Sequence, residues 1–264
     1  IIKYDHNIKK IEKNNNQIIL TFNENTKVTC DYLIISDGVF SKSKSLISNN
    51  KIKPAYNNSI AIRGNILKKN LNNLNEKNIS LFMGHNFHYV IYPVNNDNEA
   101  FNFIGVLKYE LTANELDNHG IFEEEGFIQG IKDKLLSKIS KNILDHLTSI
   151  KCFPVFVSKG YLKPGSNIFL IGDAFFAFPP SFAQGASQSI ESASELFNSI
   201  INNTNNFHNN RVKKVKMVNN RSKFNQFTFH LSNPIIVFFR NVALKILTKN
   251  KNFLESYLGK IYKD

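Results

Sequence analysis

The chain has 264 residues, 42% of them hydrophobic, and carries 33 Lys+Arg against 21 Asp+Glu for a formal net charge of +12. That is enough apolar material for one large domain or two modest ones, and it excludes a disordered tail. Two cysteines, Cys30 and Cys152, are too few for a disulfide framework or a cysteine-based zinc site, which fits a reducing, cytoplasmic setting.

An excess of positive charge suits nucleic acid, an anionic membrane surface or acidic small molecules. Its distribution argues against nucleic acid. The lysines are scattered among asparagines, and the one dense stretch, Arg211 to Lys216, has helical spacing without interleaved aromatics. No apolar run, Ile235 to Phe239 included, exceeds five residues, far below the ~18 of a membrane-spanning helix, and membrane association is not expected. The start, Ile1 to Lys10, shows neither an initiator Met nor a signal peptide, so further sequence is expected upstream.

In chain order, Ile8 to Ile11, Ile18 to Phe22 and Val28 to Cys30 read as short strands around the turns Asn14-Asn-Asn16 and Asn23-Glu-Asn25. This antiparallel meander leads into Tyr32 to Ser36, an apolar run that predicts a buried parallel strand ending at Asp37-Gly38, with a helix starting at Ser41. Residues 59–67, 79–83, 87–94 and 100–107 predict four more strands, and Phe122 to Leu147 predicts one or two amphipathic helices. After Phe153 to Val157, the strand Asn167 to Ile171 ends at Gly172-Asp173. Apolar positions Ala186, Ile190, Ala193, Phe197 and Ile200 then place a long helix from about Gly185. From Arg211 onward the pattern is helical, broken at Asn233-Pro234. The nearly all-round apolar helix Pro234 to Leu247 reads as buried.

Two strand ends therefore carry an acid beside glycine, Asp37-Gly38 and Gly172-Asp173. At such ends glycine lets backbone approach a ligand, and a carboxylate accepts from sugar hydroxyls, although Asp-Gly is also an ordinary turn. The stretch Gly172-Asp-Ala-Phe-Phe-Ala-Phe-Pro-Pro-Ser-Phe-Ala-Gln-Gly185 resembles the GDAAH-x3-P-x2-GQG signature of flavoprotein hydroxylases of the p-hydroxybenzoate hydroxylase and salicylate hydroxylase type. Asp37-Gly38 with Ser41 and Lys44 resembles that family's second fingerprint. Met83-Gly84, His88, Tyr92-Pro93 and Asn102-Phe103, with Arg63-Gly64 upstream, resemble its salicylate-hydroxylase-like branch.

The resemblance implies an α/β fold with an α+β substrate domain. Residues 1–48 and 151–205 would form a discontinuous, partial FAD-binding domain, 49–150 a substrate-binding sheet domain, and 206–264 a C-terminal helical segment. It implies FAD, with NADH or NADPH and O2 as co-substrates, and hydroxylation of a small phenolic or salicylate-like ring through a flavin C4a-hydroperoxide. Asp173 would hold the ribityl or pyrophosphate part of FAD, with Asp37, Gly38 and Gly172 near the pyrophosphate end and Pro180 beside the flavin ring. Gly185, Ala186 and Ser187 would open the long helix, whose free N–H groups and positive dipole end suit the charge on reduced flavin. Arg63, Tyr92 and Pro180 would contact the substrate.

His88 and Tyr92, four apart on a strand, share a face and could relay a phenolic proton, provided that His88 titrates near neutrality; both residue types also serve as packing. The departures from the family are Phe176 for its His, Ala183 for the first Gly of GQG, Ser187 and Glu191-Ser192 later in the helix, and Lys44 for Arg. The family's initial G-x-G-x-x-G is absent from this sequence. A ubiquinone-pathway hydroxylase acting at the membrane, on which the apolar Pro234 to Leu247 helix could rest, and a non-catalytic fragment with an incomplete FAD site are the alternatives; a homodimer is possible.

Overall fold

The computed structural model describes all residues except 15–16, 24, 49–51, 72–77, 95–98, 166 and 262–264. Parts of both asparagine-rich turns of the meander thus lie outside the described residues. The strands are β1 (Ile8–Asn14), β2 (Gln17–Phe22), β3 (Lys27–Cys30), β4 (Leu33–Ile35), β5 (Ala55–Leu67), β6 (Ser80–Gly84), β7 (Phe87–Pro93), β8 (Ala100–Lys108), β9 (Thr148–Val157) and β10 (Ile168–Leu170). The helices are α1 (Lys42–Ser48), α2 (Ala113–Asp117), α3 (Glu125–Leu135), α4 (Lys141–Asp145), α5 (Gly172–Phe175), α6 (Gly185–Ile201), α7 (Phe207–Phe229), α8 (Pro234–Leu247) and α9 (Lys251–Tyr257). Two compact units emerge, Ile1–Ala55 with Phe156–Ser222, and Tyr56–Val155 with Lys223–Asp264.

In the first unit β1, β2 and β3 form the antiparallel meander, and β4 pairs with β10 in parallel, Leu33 with Ile168 through Ile35 with Leu170. Ile18, Leu20, Leu33, Ile35, Ile168, Leu170, Phe175 and Val215 share its core. The strand expected to be buried throughout is buried on one face only. Leu33 and Ile35 are 8% and 3% exposed, but Ile34 is 47% exposed because it points away from that core.

Helix α6 is oriented by polar contacts rather than by its apolar stripe. Its buried residues are Gln188, Ser192, Leu196 and Ser199, while Ile190 and Phe197 face outward, 72% and 63% exposed. Arg211 of α7, 1% exposed, fixes that orientation. Its Nη1 donates to Glu191 (3.0 Å) and Glu195 (3.3 Å), and its Nη2 donates to Gln188 Oε1 (2.8 Å).

In the second unit five strands lie in the order β6-β7-β8-β5-β9. Alternation sends Ile60, Ile62, Ile66, Phe87, Tyr89, Ile91, Phe101, Phe103 and Leu107 into one core, with Ile131 and Leu135 of α3 and Leu144 of α4 in the same cluster. Gly64 and Gly105 keep that face flat enough to pack: a Cβ on Gly64 would lie 2.9 Å from Leu147, and one on Gly105 2.9 Å from Phe87. The opposite face carries Arg63, His88, Tyr92 and Asn102. The helix α8, expected to be buried, has no buried residue.

Candidate functional site

In the first unit the two Asp-Gly junctions meet at Lys44. Ser41 caps α1, its Oγ accepting from the Lys44 N–H at 2.9 Å, while Asp37 Oδ2 accepts from the Ser43 N–H at 3.1 Å. The helix so fixed aims the buried Lys44 ammonium at the Ala174 carbonyl, 3.0 Å away, one residue past Asp173. Burial pulls the Lys44 pKa down, and the charges of Asp37 and Asp173 oppose that pull. Asp173 is affected in the opposite sense. Although the residue is exposed, packing around its carboxyl raises its pKa, and Lys44 counters the rise.

Gly172 is required on two counts. Its φ is +57°, and a Cβ there would lie 2.8 Å from Ser189 Oγ. Its N–H donates to Ser192 Oγ at 3.1 Å, which ties the Asp173 turn to α6. The sequence reading ended the strand at this glycine; the structure adds the single helical turn α5. Ser192, one of the departures from the family pattern, thus has a definite structural task. Phe176, which replaces the family's His, is buried and stacks on Tyr161 with ring centroids 4.8 Å apart.

Pro180 opens a 3-10 turn, Pro180–Phe182, which ends at Ala183 in the left-handed region, φ 51° and ψ 33°. Helix α6 follows with no side-chain cap from Gln184. Gly185 and Ala186 are exposed, Ser187 is half-buried, and the space beside Gly185 is open. This helix start therefore presents uncapped N–H donors beside the Asp173 turn's own helix contact.

In the second unit His88 and Tyr92 share a face, as alternation requires, but about four residues of strand, ~13 Å, separate them and each has its own partner. Tyr92 Oη accepts from Asn102 Nδ2 at 3.1 Å, directly across the β7–β8 ladder. Arg63 projects from the same face and lies 5.8 Å from the Phe153 ring centroid. His88, 5% exposed, has its Nδ1 2.8 Å from Nε2 of His230, with the Phe229 ring edge-on to it.

Burial together with His230 holds His88 down to about 3, and burial with Lys138 and Lys108 holds His230 down to about 4. His88 is therefore not the near-neutral base expected. Both rings are neutral at pH 7, and the network fixes their tautomers. His230 also hydrogen-bonds the Val106 backbone, and we assign that bond to its Nδ1–H, the tautomer in which Nε2 accepts from His88 Nδ1–H. That leaves Nε2 of His88 as an acceptor. His230 was invisible to sequence reasoning, because its place at the end of α7 gives no motif.

No family model matches the sequence, and no curated relative matches it. Solved structures do. Klebsiella pneumoniae HpxO complexed with FAD and uric acid matches with a TM-score of 0.74 at 12% identity, over 97% of this chain and 66% of that one. A salicylate hydroxylase substrate complex matches with a TM-score of 0.71 at 16% identity, over 97% and 69%. The 2,6-dihydroxypyridine-3-hydroxylase of Arthrobacter nicotinovorans matches with a TM-score of 0.68 at 14% identity, over 87% and 66%. The fold is thus that of p-hydroxybenzoate hydroxylase-type flavoproteins, and the chain spans about two thirds of the length of the structures it matches.

Proposed function

We propose that this chain forms the larger part of an FAD-dependent monooxygenase that hydroxylates a small electron-rich aromatic ring with NADH or NADPH and O2. The observation that carries this reading is the convergence on Lys44 of Asp37 and Asp173, the acids of two motifs far apart in sequence, with the Asp173 turn tied through Gly172 to α6, whose start has no side-chain cap. The likeness in fold to an FAD-bound structure supports it.

Bound FAD would supply the oxidation chemistry, and this chain's residues would hold and orient it. Asp173 would accept from ribityl hydroxyls, and Gly172 with the Asp37-Gly38 turn would lie toward the pyrophosphate, where Asp37 would orient water and backbone donors. Gly185, Ala186 and Ser187 would direct N–H donors at developing negative charge, and Pro180 would line the ring. Lys44 would lessen the cost of keeping two carboxylates near a phosphate.

In the second unit Arg63 and Tyr92 would bind the substrate, and Tyr92, oriented by Asn102, would hydrogen-bond its hydroxyl. His88 would act as a neutral acceptor at Nε2, steadied through Nδ1 by His230, rather than as a base that keeps the proton.

The test uses the polypeptide with its native upstream sequence. It should purify with flavin absorbance and oxidise NADH or NADPH when given a phenolic acid, and Asp173→Ala should weaken flavin binding about tenfold to hundredfold. A colourless protein that takes up no FAD would refute the reading. For the ring-side residues, Tyr92→Phe should leave flavin content intact while peroxide release rises at the expense of product. Unchanged product per NAD(P)H would remove Tyr92 from the site.

A further inference from the structure

Composition reads α8 as a buried helix, yet it exposes its apolar side. Val237, Arg240, Leu244 and Leu247, three or four residues apart, form its half-buried side. On the other side Ile235 (69%), Phe238 (63%), Phe239 (64%), Val242 (41%) and Ile246 (63%) are exposed. At about 100° per residue these five fall within an arc of roughly 100°.

The stripe is presented ready-formed. Asn233 Oδ1 caps the helix by accepting from the N–H groups of Ile235 (3.0 Å) and Ile236 (3.3 Å), Pro234 occupies its first turn, and Arg240 Nη1 donates to the Thr228 carbonyl at 3.1 Å.

Up to Glu255 in the following helix, the charges of the segment that holds the stripe have one sign. From residue 223 to residue 254 the sequence holds Lys223, Arg240, Lys245, Lys249 and Lys251 and no Asp or Glu. Lys245 and Lys249 are exposed; helical spacing puts Lys245 along one flank of the stripe, and Lys249 follows in the turn just past the helix's C-terminal end. A two-fold contact through this stripe would bring together two positively charged segments, with no acid between residues 223 and 254 of either copy to offset them. An acidic, apolar-backed surface matches it, and at ~1.5 Å per residue the 14 residues of α8 are too short to cross a ~30 Å hydrocarbon layer. No helix among the described residues is long and apolar enough to do so.

We propose that α8 lies flat on an anionic lipid surface, its five apolar side chains entering the headgroup boundary and Lys245 and Lys249 meeting acidic headgroups. The test is sedimentation of the protein with phosphatidylcholine vesicles, with and without phosphatidylserine, against a vesicle-free control.

Phosphatidylserine should raise the bound fraction at least ~tenfold, and salt should reverse the gain. Phe238→Ser/Phe239→Ser should abolish binding, and Lys245→Glu/Lys249→Glu should remove the preference for phosphatidylserine. Circular dichroism should stay unchanged in both variants, since the altered side chains are exposed. Binding indifferent to phosphatidylserine, binding unaffected by the Phe changes, or a dimer in light scattering that the Phe changes split without any vesicle binding would each overturn the proposal.

Discussion

The ammonium of Lys44 donates to the carbonyl of Ala174 at 3.0 Å, joining the helix that follows one Asp-Gly turn to the turn that contains the other. Lys44 is 4% exposed, and the burial that depresses its pKa is offset by Asp37 and Asp173. Lys44→Met keeps the aliphatic length and removes the donor and the charge, so urea unfolding should show a loss of about 1–3 kcal/mol. Lys44→Arg should not restore the loss in full, because a planar guanidinium cannot place its charge where a single Nζ sits.

Asp173 gives a pH signature. Its carboxyl is held above its usual 3.8, mainly because the packing around it strips water from the charged form although part of the residue is exposed. A group raised in the fold contributes stability that is full below its unfolded pKa and is lost as pH rises through the folded one. Asp173→Asn should therefore gain stability relative to the parent between pH 3.5 and pH 7. Parallel urea curves at the two pH values would show it, and an equal difference at both would contradict the raised carboxyl.

The paired histidines act in the opposite direction. Both are depressed, so the stability they contribute is full above about pH 6.5 and is lost as pH falls toward about 4 for His230 and about 3 for His88. Below pH 6.5 the slope should approach about 1.4 kcal/mol per pH unit for each histidine. His88→Leu/His230→Leu should flatten that slope in thermal melts followed from pH 7 to pH 4.

Ala183 occupies left-handed backbone that glycine enters without cost. Ala183→Gly should stabilise the protein by roughly 1 kcal/mol, offset in part by the extra freedom of glycine when unfolded. Gly172→Ala should do the reverse and more, since a Cβ would meet Ser189 at 2.8 Å as well as a φ of +57°. Melting temperatures of the two variants check both signs.

Arg211→Met should cost about 2–4 kcal/mol, below the usual cost of breaking a wholly buried pair because Glu191 and Glu195 keep some contact with water. If the loss were under half a kcal/mol, Arg211 would not be what turns α6.

Much of this arrangement was legible in the sequence because it rests on local rules. Alternation placed His88 and Tyr92 on one face, the glycine-acid pairs marked both strand ends, and the four-and-three spacing gave α6 its length. What the pattern could not give was direction. The stripe of Ile190 and Phe197 locates a helix but not which side faces the core, and the decision fell to Arg211, whose partners lie 16 to 23 residues away. Nor does a strand histidine announce a second histidine 142 residues later, although that contact sets its protonation. Apolar composition misled at α8, where buriedness was inferred from content while the side chains lie in the open.

The parallel pair β4–β10 imposes an order on synthesis. Its strands flank residues 56–155, which belong to the other unit, so Leu33 must wait for Ile168 to leave the ribosome before it has a partner. By then β5 to β9, with the helices α2 to α4 among them, have already emerged and can fold. Of the described first unit, the β1–β3 meander, β4 and α1 are by then outside, and β4 still lacks β10. An interval of vulnerability to proteases and to aggregation thus opens once residues 33–35 have emerged, and it ends when residues 168–170 arrive.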